Sequence, residues 1–334
     1  MRQTHALFKF VVAISILFTF PASAENTDSL SDRRDAQSWL RKIQSAAQKL
    51  NYSGTFVYQQ GNQMRTSRIT HLLDGRNEIE KLEILDGKPR EYIRNNEEVI
   101  CYVPDAKTLL VEKRVTHDIF PAILSNNATE LTEHYNVRKE ESGRIAGHDC
   151  QAISLQPKDG LRYGYKLWAE KGSGLLLRAQ TLNEKNEVVE QISFTQISIG
   201  NIERHRVKPS YTNTNGWKVE SSTMSQVNLS GWSVKALPKG FKKIREVKRL
   251  VSDTTSLAGQ GNQREVSQIV FSDGLAAISV FIEPESQSRT EGSIQQGATN
   301  IVGKRQGDFW LTIVGEVPSA AIRQVANSIE FKPK

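Results

Sequence analysis

The chain has 334 residues, of which 44 are Lys or Arg and 37 are Asp or Glu, so its formal net charge is +7 at pH 7. This length exceeds one typical domain and suffices for two domains that each bury a core. The small positive excess is compatible with an acidic partner or with anionic lipid headgroups, but it requires neither.

The amino terminus has the composition of a secretory signal peptide. Arg2 and Lys9 precede an apolar run, Phe10–Phe20, and the small residues Ala22-Ser23-Ala24 follow. The apolar run is shorter than the roughly 18 residues that a membrane-spanning helix needs, and no later segment reaches that length. We therefore predict cleavage after Ala24, export across the inner membrane and no transmembrane segment. Export by this route also excludes nucleic acid as a partner.

After the signal peptide we predict one helix followed by strands. Apolar residues at positions 36–50 recur at helical spacing, which is typical of an amphipathic helix. From Tyr52 the period changes to two, and Phe56 and Tyr58 share one phase of a strand. Short apolar runs at even spacing between residues 65 and 114 then predict a barrel or a strongly curved sheet.

The segment 117–135 interrupts this series of strands. Phe120 and Pro121 are followed by Ile123 and Leu124, which predicts a loop with a short apolar helix. Two interpretations are open: a lid over the mouth of a cavity, or a connector packed against the core.

Residues 160–197 predict a three-stranded antiparallel meander with two unlike faces. Three extended runs are separated by two polar turns that contain Gly or Asn. The first run places Tyr163, Tyr165 and Leu167 on one face, with Arg162 on the other. The first face is apolar, so we expect it to be buried or to line a cavity.

The composition changes after residue 205. Residues 206–225 are polar and poor in apolar side chains, which predicts a linker between a first domain, residues 25–205, and a second domain, residues 226–334. The second domain alternates strands with polar turns and closes with a helix after Pro318, so we predict a small α+β domain.

Residues 239–249 carry the densest positive charge of the chain. This basic run either contacts lipid phosphates or an acidic partner, or it forms a solvated strand edge guarded by lysines.

Cys101 and Cys150 are the only two cysteines. Both lie in strand-like runs, and in an oxidising compartment they could face one another on neighbouring strands as one disulfide. The alternative is two separate small buried side chains. The sequence leaves both alternatives open.

The sequence contains no recognisable catalytic or metal-binding motif. The histidines are scattered without metal-ligand spacing. Gly172-Ser173-Gly174 lacks the GxSxG pattern of a nucleophile elbow and lies where a hairpin turn is expected. We therefore predict a protein that is not an enzyme and that needs no metal and no cofactor.

Several segments resemble the MucB/RseB family, periplasmic negative regulators of the sigma-E (AlgU-type) envelope-stress factor. In chain order these segments are RYGYKLW, GLLLRAQTL, LPKGF, SDGLAAISVF and TIVGEVP. The resemblance extends from about Ala36 to Phe331 and includes the signal peptide.

The resemblance implies an α+β, mostly antiparallel β fold. Its N-terminal domain is expected to be a half-open β-barrel with helices, similar to the periplasmic lipoprotein carriers, and its C-terminal domain a smaller α+β unit. The implied protein is periplasmic and binds the periplasmic domain of a membrane anti-sigma factor (RseA/MucA-like). It shields that partner from regulated proteolysis and is released by lipid A or by lipoprotein acyl chains.

The alternative function is a periplasmic chaperone for lipids or lipoproteins, and a homo-oligomer is also open. Phase and composition nominate two sets of residues within the implied fold. The set predicted to line the lipid cavity is Phe56, Tyr58, Phe120, Ile123, Leu124, Tyr163, Tyr165 and Leu167. The set predicted to contact the partner or lipid headgroups is Lys239, Lys242, Lys243, Arg245, Lys248 and Arg249.

Overall fold

The computed structural model describes residues 27–113, 120, 123–124, 130–222, 225–226, 229, 231–252, 263–285 and 289–332. The predicted signal peptide and its cleavage site lie outside these residues.

Within the described residues the chain forms three α-helices and 21 β-strands. The helices are α1 (Thr27–Lys49), α2 (Leu131–His134) and α3 (Ser319–Asn327). The strands of the first half are β1 (Tyr52–Gln60), β2 (Gln63–Asp74), β3 (Asn77–Ile84), β4 (Arg90–Asn95), β5 (Glu98–Val103), β6 (Thr108–Lys113), β7 (Tyr135–Ile145), β8 (His148–Pro157), β9 (Gly164–Glu170), β10 (Leu176–Leu182), β11 (Val188–Ile199) and β12 (Lys218–Ser222). The strands of the second half are β13 (Ser225–Gln226), β14 (Trp232–Val234), β15 (Lys242–Ser252), β16 (Gln263–Ser272), β17 (Ala277–Pro284), β18 (Gly292–Gln296), β19 (Thr299–Gln306), β20 (Phe309–Gly315) and β21 (Ile329–Phe331).

Strands β1–β12 form a single open sheet. Their order is β12-β6-β5-β4-β3-β2-β1-β11-β10-β9-β8-β7, so β12 and β7 are its edges. Neighbouring strands pair antiparallel, apart from β12, which runs parallel to β6. The open sheet confirms the predicted half-open barrel, and β9, β10 and β11 form the predicted meander.

Helix α1 packs on the first sheet through one apolar face. Its Ala36, Leu40 and Ile43 are fully buried, in one core with Phe56 and Ile69 of the sheet. The helix lies against β7, an edge strand, and against β10. It therefore covers apolar surface that an unclosed sheet would leave in water.

We predict that Ile43→Ala lowers the free energy of unfolding by about 2–5 kcal/mol, because it leaves a cavity in this core. The matched control is Arg41→Ala, two positions away on the exposed face of α1. Denaturant unfolding followed by circular dichroism measures both variants, and equal stabilities would contradict the packing described for α1.

The second half forms a seven-stranded sheet in the order β13-β15-β16-β17-β20-β19-β18. One face of α3 packs on it: Ile322 and Val325 are fully buried in a core that includes Ile278 and Ile313. Strands β14 and β21 form a separate pair. This arrangement confirms the predicted smaller α+β domain.

Residues 206–225 differ from the predicted linker. Glu91 accepts hydrogen bonds from the backbone N–H of Ser210, and Lys81 donates one to the carbonyl of Lys208, at 3.0 Å. Strand β12 then extends the first sheet beside β6. Polar contacts and backbone pairing hold this segment, and neither produces the apolar pattern by which strands are recognised in a sequence.

Of the two alternatives for the cysteines, the structure has two separate buried thiols. Cys101 lies on β5 and Cys150 on β8, and seven strands lie between β5 and β8 in the sheet order. The disulfide alternative required neighbouring strands, and the topology does not place the two cysteines on neighbouring strands.

We predict that both thiols resist alkylation in the native protein and react in denaturant without any reductant. Burial raises the pKa of the Cys150 thiol to about 11 and also raises that of Cys101, so little reactive thiolate forms at neutral pH. Mass spectrometry after alkylation counts the modified thiols. Failure to alkylate in denaturant until a reductant is added would indicate a disulfide instead.

Candidate functional site

Three phenylalanine rings pack together inside the first domain. Phe56 lies 5.6 Å from Phe120 and 5.9 Å from Phe194, and Phe120 lies 5.2 Å from Phe194, measured between ring centroids. Leu124 is buried in the same core. Phe120 and Leu124, two of the described residues of the segment 117–135, therefore pack against the core, as expected for a connector. The other residues of its predicted apolar helix, Pro121 and Ala122, lie outside the described residues.

The predicted phase of the first domain faces inward. Six of the eight nominated cavity residues are buried, and two are half-buried, Tyr58 and Ile123. Burial also raises the pKa of Tyr165, so its hydroxyl stays protonated. Contact of these side chains with lipid stays a prediction. The buried members are Phe56, Phe120, Leu124, Tyr163, Tyr165 and Leu167.

Tyr163 differs from its two companions, because its hydroxyl reaches the second domain. The side-chain amide of Asn300 donates a hydrogen bond to Tyr163 Oη at 3.1 Å and another to the carbonyl of Val317 at 2.9 Å. Tyr163 therefore lies where the two domains meet. We call the surface between the domains the junction. Residues that form hydrogen bonds across it include Arg162, Tyr163 and Glu190 of the first domain and Asp273, Asn300 and the backbone N–H of Ala298 of the second.

Arg162 is the most enclosed charge of the junction. Its Nε lies 2.8 Å from Asp273 Oδ2, and both side chains are fully buried (0% exposed). Its two terminal nitrogens donate to Asp159 and to the carbonyl of Lys239. Alternation places Arg162 on the face of the meander opposite the apolar one, and the structure buries its side chain between the domains.

Glu190 forms a second polar contact across the junction. It accepts a hydrogen bond from the backbone N–H of Ala298 at 3.1 Å and one from the Gln60 amide at 2.6 Å. Gln60 also donates to the carbonyl of Gln296 at 3.1 Å. A single carboxylate thereby ties the first sheet to the turn between β18 and β19.

Gly240 allows a close backbone approach at the junction. Its φ of +89° lies in the left-handed region, and a Cβ at this position would overlap the ring of His134. The carbonyl of the preceding residue, Lys239, accepts the hydrogen bond from Arg162. A glycine is therefore required both by the turn and by the contact between domains.

A cavity of about 650 Å³ opens beside the junction. Ile123 and Glu130 of the first domain line one side, and strands β15, β16, β17, β19 and β20 line the other. The lining mixes apolar side chains with both signs of charge. Its side chains from the second domain include Lys242, Ile244, Arg245, Val270, Asp273, Leu275, Val314 and Glu316. The cavity thus joins members of the two nominated sets, Ile123 from the first and Lys242 and Arg245 from the second.

The basic run is not one uniform patch. Lys242, Lys243 and Lys248 form ion pairs with Glu130, Glu246 and Glu265. Lys239 is exposed and Arg245 is half-buried in the cavity wall, while the side chain of Arg249 lies outside the described residues. Neighbouring glutamates therefore neutralise much of this positive charge.

Each helix in the described ranges is too short or too polar to span a bilayer. Within those ranges, no three His, Cys, Asp or Glu side chains come together as a metal site would require.

The sequence analysis missed the junction. Arg162 and Asp273 are 111 positions apart, and Asp273 occupies a turn in which aspartate is common. Glu190 and Asn300 likewise lie in strands with no unusual spacing around them. The available signal was a charged side chain, Arg162, next to Tyr163 in the first run of the meander, and alternation gave it a face of the strand without a partner.

Two family models match the chain. The model of the MucB/RseB N-terminal domain matches residues 35–211, and that of the MucB/RseB C-terminal domain matches residues 226–330. Together they cover most of the chain in the order that the structure shows.

Curated relatives and solved structures agree with these matches. The sigma factor AlgU regulatory protein MucB of Pseudomonas aeruginosa is 28% identical, over 88% of this chain and 90% of its own length. The sigma-E factor regulatory protein RseB of Haemophilus influenzae is 25% identical, over 96% of this chain and 97% of its own length. The solved complex of Pseudomonas aeruginosa MucA and MucB contains a chain 26% identical to this one. It aligns with a TM-score of 0.70 and covers 90% of this chain and 100% of that chain.

Proposed function

The chain belongs to the MucB/RseB family, and on that premise we propose that it is a periplasmic regulator that binds the periplasmic domain of a membrane anti-sigma factor. By occupying this partner it shields the partner from regulated proteolysis and keeps the envelope-stress sigma factor inactive. Lipid releases the partner. The function is binding rather than catalysis.

The cavity beside the junction is the observation that best supports a protein partner. Its volume of about 650 Å³ accommodates several side chains of another protein. Ile244 lies in its wall and is 54% exposed, so its apolar side chain is available to a partner. Lys242, which is paired with Glu130, and Glu316 place polar groups in the same lining, so they can hydrogen-bond to a bound segment.

The apolar interior of the first domain supports a response to lipid. Its cluster of Phe56, Phe120 and Phe194 and the inward phase of β9 offer acyl chains an apolar environment. Each buried CH₂ group contributes about 0.8 kcal/mol, so one acyl chain supplies enough free energy to shift a two-state equilibrium. This requires that only one state of the protein admits the chain.

We predict that Ile244→Asp weakens binding of the cognate anti-sigma periplasmic domain by about tenfold or more, because a carboxylate in the cavity wall must lose its water on binding. Isothermal titration of the full exported chain measures this affinity. The matched control is Ile294→Asp on β18, another exposed isoleucine that does not line the cavity (69% exposed). If both substitutions weaken binding equally, the cavity is not the binding site. If the unaltered chain does not bind the anti-sigma domain, the proposed regulatory function is contradicted.

We further predict that lipid A dissociates the complex and that its deacylated sugar headgroup does not. The difference isolates the acyl chains, because the two ligands share the same charges. Competition titration with the preformed complex is the measurement. If lipid A leaves the affinity for the partner unchanged, the proposed lipid response is contradicted, while the proposed binding of the anti-sigma factor stands.

A further inference from the structure

We propose that Arg162 and Asp273 form a latch that holds the two domains docked, and that Tyr135 connects this latch to the packing of the first core. The latch is defined as the ion pair between these two side chains. Its opening separates the domains while each keeps its own core.

The docked state satisfies both charges of the latch. Arg162 reaches Asp273 with Nε and uses its remaining nitrogens on Asp159 and on the carbonyl of Lys239. Asp273 Oδ1 accepts the backbone N–H groups of Leu275 at 3.1 Å and Ala276 at 2.9 Å. Neither side chain is exposed to water in this state. Asp273 depends on Arg162 for its counter-charge, while Arg162 is balanced by Asp273 and by the partly exposed Asp159.

We expect the latch to open reversibly, because a buried ion pair contributes little net free energy to docking. A buried ion pair gives up the hydration of both charges, and the charges regain that hydration when the domains part. The other polar junction contacts, at Glu190 and at Tyr163, would exchange their partners for water in the same way. Each domain has its own apolar core, although Ala298 and Leu275 of the second domain pack with the first core and Leu161 of the first domain packs against the second. We therefore expect separation to expose these side chains without unfolding either domain.

Tyr135 links the latch to the first core. Its hydroxyl donates to Asp273 Oδ2 at 3.4 Å, and its ring meets that of Tyr165 edge-on at 6.3 Å between centroids. Both rings belong to the core that contains α1 and the phenylalanine cluster. A change in how this core is packed therefore displaces a group that touches the latch.

Chemical cross-linking measures the fraction of molecules in which the two domains are docked. Glu130 and Lys242 form an ion pair of 2.9 Å from opposite sides of the junction, and both are accessible. A full chain with Glu130→Cys and Lys242→Cys is treated with a short bismaleimide, and the cross-linking rate reports the docked fraction. The native thiols are buried and their pKa values are raised, so we expect them to react more slowly than the two introduced cysteines.

We expect Asp273→Asn to lower this rate by about tenfold or more, because it removes the fully buried one of the two carboxylates that pair with Arg162 and leaves the partly exposed Asp159. The asparagine retains a side-chain oxygen for the turn. The matched control is Asp308→Asn, an exposed aspartate in the hairpin turn between β19 and β20, which should leave the rate unchanged. Tyr135→Phe should lower the rate by a smaller factor, since it removes one hydrogen bond and keeps the ring.

Arg162→Met tests the same pair from the first domain and does not touch the turn at Asp273. The doubly substituted Arg162→Met/Asp273→Asn chain should lose less than the product of the two single effects, because it leaves no lone buried charge. Single variants that keep native circular dichroism and cross-link at the unaltered rate would overturn the latch, as would effects that simply multiply. If both single variants lose the native circular dichroism spectrum, the ion pair is required for folding, and this result would also overturn the latch. An unaltered rate after Tyr135→Phe would overturn the link to the core.

Discussion

Burial of the apolar face of an unclosed sheet is the constraint on which this structure depends. A closed barrel has no edges, whereas this sheet ends at β12 and β7. Helix α1 and Phe120 cover the apolar side of the sheet, which includes Phe56 of β1 and Phe194 of β11, and β12 is added from the segment that connects the domains. Because α1 and Phe120 lie outside the strands, they can be repacked without breaking strand pairing. The proposed lipid response depends on that property.

The junction connects this interior to the second domain. Arg162 and Tyr163 contact the second domain and directly precede β9. The same strand continues into the first core, where Leu167 is fully buried. The cavity lies beside these contacts and includes Asp273 in its wall. A partner in the cavity and a lipid in the first domain would therefore act on neighbouring parts of one polar interface. Reciprocal coupling of two ligands needs only that both bias the same equilibrium.

The sequence predicted the strands whose apolar and polar residues alternate, and it missed the strands and contacts that have no such pattern. Alternation located β9, β10 and β11 and the inward phase of Tyr165 and Leu167. It missed β18, whose five residues are all exposed, and β12, whose pairing is parallel and polar. Strand adjacency is set by topology rather than by local pattern, which is why the sequence could not decide between a Cys101–Cys150 bridge and two separate thiols. The partner of Arg162 could not be predicted for a similar reason, since it lies in another domain.

Hydrogen exchange of the full chain, with and without the cognate anti-sigma periplasmic domain, tests the central claim most directly. The account predicts slower exchange on binding at residues 242–245 of β15 and 314–316 at the end of β20, which line the cavity. Protection confined to regions outside the cavity, such as the edge strand β18, would contradict it.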